Sequence, residues 1–105
     1  MKFLIVTMQN QMVPPEHALP LLDAFMAYVD KYKKSGHFEA EWSFSGMQGG
    51  GAIVEVDSLE ELDTLIIEYP LGPFSNIQIY PLVDLEDSID KSRQRIQSAM
   101  QMMSG

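Results

Sequence analysis

Two glutamates and a histidine lie close together on a stretch that alternates polar and apolar residues. The stretch His37–Ser45 reads HFEAEWSFS, which places His37, Glu39 and Glu41 on one face of a predicted strand. Enclosing two nearby carboxylates raises the pKa of at least one of them, which suits it to act as a general acid or base. His37 begins the same face and is a candidate partner for Glu39 in proton transfer. These three residues are the candidate catalytic groups.

The same carboxylates also fit a structural role. Charged side chains on an exposed edge strand guard against edge-to-edge aggregation, and the sequence favours this role for Glu39 and Glu41. A histidine at the start of a strand is also more often exposed to solvent than catalytic. The sequence leaves both interpretations open.

A second group of side chains is placed to contact a ligand. Trp42 is a candidate for stacking on an aromatic or polyene ligand, while Phe38 and Phe44 are expected in the core. Tyr80 and Glu55 are candidates for hydrogen bonding to a ligand carbonyl. The candidate ligand-binding residues are Trp42, Met47, Glu55, Tyr80, Leu4 and Val6.

Neither a metal nor a phosphate group is predicted. One histidine with carboxylates at no diagnostic spacing is a weak metal signal. Gly49-Gly50-Gly51 lacks the Gly-Lys-Ser/Thr ending of a phosphate loop and precedes a strand. The sequence therefore predicts neither a metal site nor a phosphate-binding loop.

The elements that must position these residues can be read from hydrophobic periodicity. Strands are predicted at 2–8, 37–45, 52–56 and 74–82, and amphipathic helices at 16–34 and from Ser58 to before Pro70. Ser58 with Glu61 forms a capping-box signature. Pro20 lies one turn inside the first helix, so that helix begins near Leu19 or has an irregular first turn. The glycines at 46 and 49–51 predict a hairpin turn.

This order of elements predicts an α+β fold. The sequence β, α, β, β, α, β is a split βαβ unit repeated, with both helices on one face of a four-stranded antiparallel sheet, which is the ferredoxin-like arrangement. Residues 1–83 form this domain, and 84–105 form an extra C-terminal helix with Ser88 as its cap. The terminal methionines indicate either an adaptable contact surface or a frayed tail.

Composition limits the partners. The net charge of −8 argues against nucleic acid, which requires clustered Lys and Arg. The absence of cysteine excludes disulfides and thiolate chemistry and fits the cytoplasm. No stretch resembles a signal peptide or a membrane span.

The first strand is apolar on both faces, which predicts self-association. Phe3 and Ile5 point one way, while Leu4, Val6 and Met8 point the other, away from the helices. Burying such side chains stabilises by roughly 1.5–3 kcal/mol each. A second copy facing the open sheet would bury them, giving a dimeric α+β barrel with pockets between the two sheets or between sheet and helix.

Several segments resemble muconolactone δ-isomerase and its relatives. They are Ser35-Gly36-His37-Phe38, Glu41-Trp42, Ser45-Gly46, 54–62 (VEVDSLEEL) and above all Tyr69-Pro70-Leu71-Gly72-Pro73-Phe74 leading to Ile77-Gln78-Ile79 and Pro81-Leu82. The resemblance covers roughly residues 1–90. It implies dimeric barrels, sometimes assembled into larger rings, and cofactor-free proton transfer that moves a double bond in a small lactone.

The resemblance also indicates a change of substrate. Where the isomerase carries basic and imidazole residues, this chain has Glu39, Ala40, Ser43 and Met47. A pocket for an anionic lactone should keep cations, so we expect a substrate other than muconolactone.

Three functions follow as hypotheses. The first is a cofactor-independent isomerase or cyclase acting on a small conjugated carbonyl compound, lactone or polyketide-like molecule. The second is a non-catalytic binding or assembly protein of the same fold. The third is a cofactor-free monooxygenase.

Overall fold

The computed structural model describes residues 1–104 and confirms the predicted order of elements. These are β1 (Lys2–Gln9), α1 (Pro15–Lys34), β2 (Phe38–Ser43), β3 (Gly49–Glu55), α2 (Leu59–Ile67), β4 (Ser75–Leu82) and α3 (Leu85–Ser104), with a short 3₁₀ turn at Gly72–Phe74. The strands form one antiparallel sheet in the order β2-β3-β1-β4. The α+β, ferredoxin-like fold class is therefore confirmed.

Local chemistry explains where the helices begin and end. Pro15 opens α1, where its missing N–H costs nothing, and the helix continues through Pro20. Of the two predicted alternatives, the start near Leu19 is therefore wrong. Gly36, with φ of 82°, ends α1. The Ser58 side chain accepts a hydrogen bond from the Glu61 N–H at 3.1 Å, which confirms the predicted cap of α2.

The helix α3 begins at Leu85, within the predicted range 84–105, but the predicted cap Ser88 is wrong. Asp84 rather than Ser88 is positioned as its cap, since its carboxylate accepts the Asp87 N–H at 3.1 Å. None of the described α3 side chains is buried, and the helix projects from the body to give a molecule 71 Å long and 28 by 23 Å across. The predicted boundary between residues 83 and 84 stays a prediction.

Strand β2 departs most from the predicted pattern. Phe38 pairs with Val54, but Ala40 pairs with Ile53, so the register shifts by a β-bulge between Phe38 and Ala40. Since a bulge inserts one extra residue, the side chains after it exchange faces. The strict alternation predicted for this strand is therefore wrong.

The bulge divides the strand into two parts. Phe38 lies on the helix face, where its ring centroid is 5.9 Å from that of Tyr28. Beyond the bulge, Glu41 and Ser43 pair with Ala52 and Gly50 on the helix face. Trp42 instead pairs with Gly51 on the open face. Glu41 was predicted to point away from Phe38, and the structure instead places both side chains on the helix face of the sheet.

The glycines also act differently from the prediction. Only Gly36 and Gly46 have positive φ within residues 1–104, so Gly46 alone among the hairpin glycines uses that freedom. Gly50 and Gly51 belong to β3, where a Cβ on Gly50 would lie 2.2 Å from the Trp42 carbonyl oxygen and one on Gly51 would lie 2.7 Å from the Trp42 ring. Absence of a side chain, rather than turn geometry, is what these positions require.

The core lies between the sheet and the C-terminal half of α1 together with α2. Its buried members are Phe3, Ile5, Tyr28, Val29, Tyr32, Ala52, Val54, Val56, Leu62 and Leu65. The apolar face of the amphipathic helix α1 is only half buried, because Leu19, Leu22 and Met26 are at least 51% exposed. The N-terminal half of α1 therefore leaves space against the sheet.

We predict that Gly50→Ala destabilises the fold by about 1–3 kcal/mol, since the added methyl would meet a fixed backbone oxygen. Urea unfolding measures the difference. Gly72→Ala is the matched control, because its nearest atom lies 3.9 Å away, and it should change stability by less than about 0.5 kcal/mol. Equal stability of the two variants would contradict the close approach.

Candidate active site

A cavity of about 740 Å³ lies between the helix face of the sheet and the two helices α1 and α2. It occupies the space that the N-terminal half of α1 leaves open. Its walls are mainly apolar, and volume and lining are typical of a site for a small organic ligand. The apolar wall includes Ile5, Met12, Leu21, Leu22, Phe25, Met26, Val29, Leu65, Ile66 and Ile77.

An ion pair borders one side of this cavity. The Lys33 ammonium donates a hydrogen bond to the Glu41 carboxylate, with Nζ 2.9 Å from Oε1. This hydrogen bond and the negative charge of Glu41 raise the pKa of Lys33, so the lysine stays charged in the neutral range. The Glu41 side chain is 31% exposed, which leaves the carboxylate accessible to a ligand.

A pair of hydroxyl groups is held elsewhere on the cavity wall. The Thr7 and Tyr69 hydroxyls lie 3.3 Å apart, and both residues line the cavity. Tyr69 reaches this position because α2 ends just before the turn that contains it. The sequence pattern indicates Tyr69 only as part of a family motif and carries no signal for Thr7. Their hydroxyls supply donors and acceptors in an otherwise apolar wall.

Buried tyrosines support the far end of the cavity. The Tyr28 hydroxyl donates to the Leu65 carbonyl at 2.7 Å, which ties α1 to α2. Burial raises the pKa of Tyr28 well above its usual value, so the phenol stays neutral. The rings of Tyr28 and Tyr32 meet edge to face with centroids 4.9 Å apart. Apolar periodicity in the sequence does not reveal the hydrogen bond between Tyr28 and Leu65.

Three of the nine predicted site residues line the cavity. Glu41 and Met47 do so from β2 and from the hairpin turn, and Trp42 lines its edge. The indole of Trp42 covers Gly51 on the open face of the sheet. Of the predicted catalytic groups, only Glu41 borders the space where a ligand fits.

The other two predicted catalytic groups lie outside the cavity. Glu39, at the bulge, forms an ion pair with Lys2 at 3.2 Å. The His37 Nε2 hydrogen-bonds to the Glu61 carboxylate, and the His37 Nδ1 lies 2.6 Å from the Ser35 hydroxyl. The proposed proton-transfer pairing of His37 with Glu39 is therefore not observed.

The remaining predicted ligand contacts lie on the open face. Glu55 pairs with the N-terminal amine at 2.8 Å, and Tyr80 donates to the Gln78 side chain at 3.1 Å. Leu4 and Val6 belong to the central strand β1, which pairs with β3 and β4. Their side chains lie on the face of the sheet opposite to those of Phe3 and Ile5. These four residues are separated from the cavity by the sheet.

Within residues 1–104, no group of three or more His, Asp or Glu side chains is arranged to hold a metal ion. Over the same residues, no helix combines the length and apolar character needed to cross a membrane.

Comparison with known proteins identifies the family. A family profile described as muconolactone delta-isomerase matches residues 1–88, which is most of the chain. The chain belongs to the muconolactone delta-isomerase family. The match ends within the first turn of α3, so most of that helix lies outside the shared region.

Individual relatives are distant. Muconolactone Delta-isomerase of Rhodococcus opacus is 34% identical over 56 residues, which span 53% of this chain and 60% of that protein. The enzyme of the same name from Acinetobacter baylyi is 27% identical over 70 residues, covering 67% of this chain and 73% of that protein. The chain thus matches less than two thirds of the length of the Rhodococcus relative.

Two solved structures share the fold. A muconolactone isomerase superposes with a TM-score of 0.71 and 23% identity, over 80% of this chain and 90% of that one. A 5-chloro-2-hydroxyhydroquinone dehydrochlorinase from Burkholderia phenoliruptrix AC1100, in complex with 2,5-dihydroxybenzoquinone, gives a TM-score of 0.65 and 16% identity, over 83% and 98% of the two chains. At these identities the likeness establishes the fold alone.

We predict that Tyr32→Phe reduces the loss of stability at alkaline pH. Burial, together with the hydrogen bond to Glu68, raises the pKa of Tyr32 from 10.0 to about 12. Between these values the unfolded chain loses the phenol proton while the folded chain keeps it, so the free energy of unfolding falls as pH rises. Chemical unfolding from pH 9 to 12 should show a shallower fall for the variant. An unchanged slope would contradict this account.

Proposed function

We propose that the chain is a cofactor-independent isomerase or cyclase that moves a proton on a small conjugated carbonyl compound or lactone. The observation that carries the proposal is the Glu41 carboxylate, held by Lys33 at 2.9 Å on the border of a largely apolar cavity of about 740 Å³. Family membership supports it, since the named relatives are isomerases.

Glu41 is the proposed acid and base. Its carboxylate takes a proton from the carbon next to a conjugated carbonyl, and the electron pair of that C–H bond moves into the conjugated system as an enolate. The carboxylic acid then returns the proton at another carbon, so the double bond has moved and Glu41 is regenerated. The Lys33 ammonium holds this carboxylate at the border of the cavity through its hydrogen bond to Oε1.

The Thr7 and Tyr69 hydroxyls are proposed to bind the carbonyl oxygen. A hydrogen bond to that oxygen strengthens as negative charge develops on it, so it lowers the barrier to proton removal. Both hydroxyls line the same cavity as Glu41 and are 3.3 Å from each other.

The charges on the wall favour a neutral substrate. The charged residues that line the cavity are Asp30, Lys33 and Glu41, so the single cation is already paired with a carboxylate. An anionic ligand would meet no free positive charge there. We therefore propose a neutral lactone or related conjugated compound, rather than muconolactone, as the preferred substrate.

Replacing Glu41 with glutamine is expected to lower turnover by about 10²- to 10⁴-fold, because the amide cannot accept the proton. The assay follows conjugated lactones by ultraviolet absorbance and by deuterium uptake from D₂O in NMR spectra. Thermal stability should change little, since the ion pair is substantially exposed.

The matched control is Glu39→Gln. This carboxylate is two residues away but pairs with Lys2 outside the cavity, so the control should keep its turnover. Equal activity of the two variants would refute the role of Glu41. If the native chain binds the compounds, shown by the fluorescence of its single tryptophan, without turnover or deuterium uptake, it is a binding protein instead.

We also propose that a second copy covers the open face of the sheet. Leu4, Val6 and Met8 lie half-buried along its centre, and Trp42 and Tyr80 on the same face are 38% and 46% exposed. A large apolar surface of this kind is typical of an interface between subunits.

Val6→Lys should therefore give a smaller assembly, because a charge would enter the centre of that interface. Sedimentation velocity measures the mass, and Ala27→Lys on the exposed side of α1 adds the same charge as a control. A native chain that is monomeric in dilute solution would overturn this interface.

A further inference from the structure

The helix α3 carries an apolar row interrupted by one cation. Ile89, Arg93, Ile96 and Met100 follow each other at spacings of three or four residues and so share one face of the helix. Ile89 and Ile96 are 45% and 59% exposed. Arg93 takes part in none of the ion pairs found within residues 1–104. This row has no partner in its own subunit over the same residues.

The outer face of α2 carries a matching row of the opposite charge. Leu59, Asp63 and Ile67 are spaced four residues apart, with Leu59 and Ile67 60% and 73% exposed. Both apolar members of this row therefore lie outside the core. Asp63, like Arg93, joins no ion pair in the described part of the chain.

We propose that α3 of one copy packs along the outer face of α2 in a second copy, with Arg93 opposite Asp63. In this arrangement the basic residue of the α3 row faces the acidic residue of the α2 row, and the apolar residues on either side of each charge face one another. Two isoleucines on α3, about 10 Å apart along the axis, match Leu59 and Ile67, about 12 Å apart. The contact is independent of the proposed function.

Charge distribution supports a second copy as the partner. Residues 91–104 contain Lys91, Arg93 and Arg95 and no acidic residue, whereas residues 1–83 are strongly acidic. The basic half of α3 is thus attracted to the body of another copy. Only Val83 and Asp84 join β4 to α3, and the helix leaves its own body along the long axis of the molecule. Most of α3 lies beyond the family match, so the region shared with the family does not account for this contact.

Two copies related by a twofold axis can exchange their α3 helices. Each copy then gives one helix and receives one, so every Arg93 meets an Asp63 and the assembly closes. If each copy instead gives its α3 to one neighbour and receives α3 from another, the contacts propagate into longer assemblies. Sedimentation distinguishes these from the closed pair by mass.

Charge reversal tests the contact. Arg93→Glu and Asp63→Arg should each weaken self-association about tenfold or more, because two like charges would face each other. Arg95→Glu is the matched control. It makes the same charge change two residues away, off the apolar row, and should weaken association much less than Arg93→Glu does, because only the general attraction between α3 and the acidic body is reduced. Sedimentation velocity over a concentration series gives the constants, and far-UV circular dichroism checks that the helix persists.

Mixing the two reversed variants identifies the partner. In an equimolar mixture, Arg93 of one variant meets the native Asp63 of the other. The glutamate introduced at position 93 likewise meets the arginine introduced at position 63, so association should return to nearly the native strength. A double variant that carries both Arg93→Glu and Asp63→Arg in one chain separates the two possibilities. If self-association returns in the double variant but not in the mixture, α3 contacts α2 within one chain and the proposal is wrong. If both single variants associate as Arg95→Glu does, the contact does not exist.

Discussion

The β-bulge between Phe38 and Ala40 decides which chemistry this sheet can offer. Without it, Glu41 would share the open face with Lys2 and Val6, and β2 would place Phe38, Ala40 and Trp42 on the helix face. With it, the aromatic side chain ahead of the bulge closes the core, and the carboxylate beyond it reaches the cavity. One inserted residue thus brings an acid into a wall that is otherwise built for apolar contact.

The cavity exists because α1 is only partly used for packing. Its C-terminal half is fixed by Tyr28, Val29 and Tyr32, which are all buried, and the Tyr28 hydroxyl ties it to the end of α2. Its N-terminal half keeps Leu22 and Met26 half exposed at the edge of the cavity. A helix held at one end can stand off from the sheet without losing the core, and the space beneath it is the cavity that we describe.

Periodicity predicted the fold well, because the elements are long and their apolar faces are clear. The two faces of β1, the cap at Ser58 and the order of strands and helices are confirmed by the structure. The faces of β2 were predicted wrongly, since a bulge leaves no trace in an alternating sequence such as FEAEWS. That single error placed Glu39 and Glu41 together and hid the pairing of Glu41 with Lys33, a residue on another element. Long-range contacts of this kind, including Thr7 with Tyr69, need the tertiary structure.

A chain of this length cannot bury all of its apolar surfaces. A sheet covered on one side by two helices buries one face only, and α3 adds apolar side chains without adding a core. The open sheet face is apolar with few charges, whereas α3 and the outer face of α2 alternate apolar groups with opposite charges. The first surface fits a broad contact driven by the hydrophobic effect, which has little directional preference. The contact between α3 and the outer face of α2 buries apolar side chains and also sets how the two helices align, because an ion pair between two apolar contacts allows only one alignment. Two interfaces of different character would therefore let one assembly be both stable and specific in its geometry.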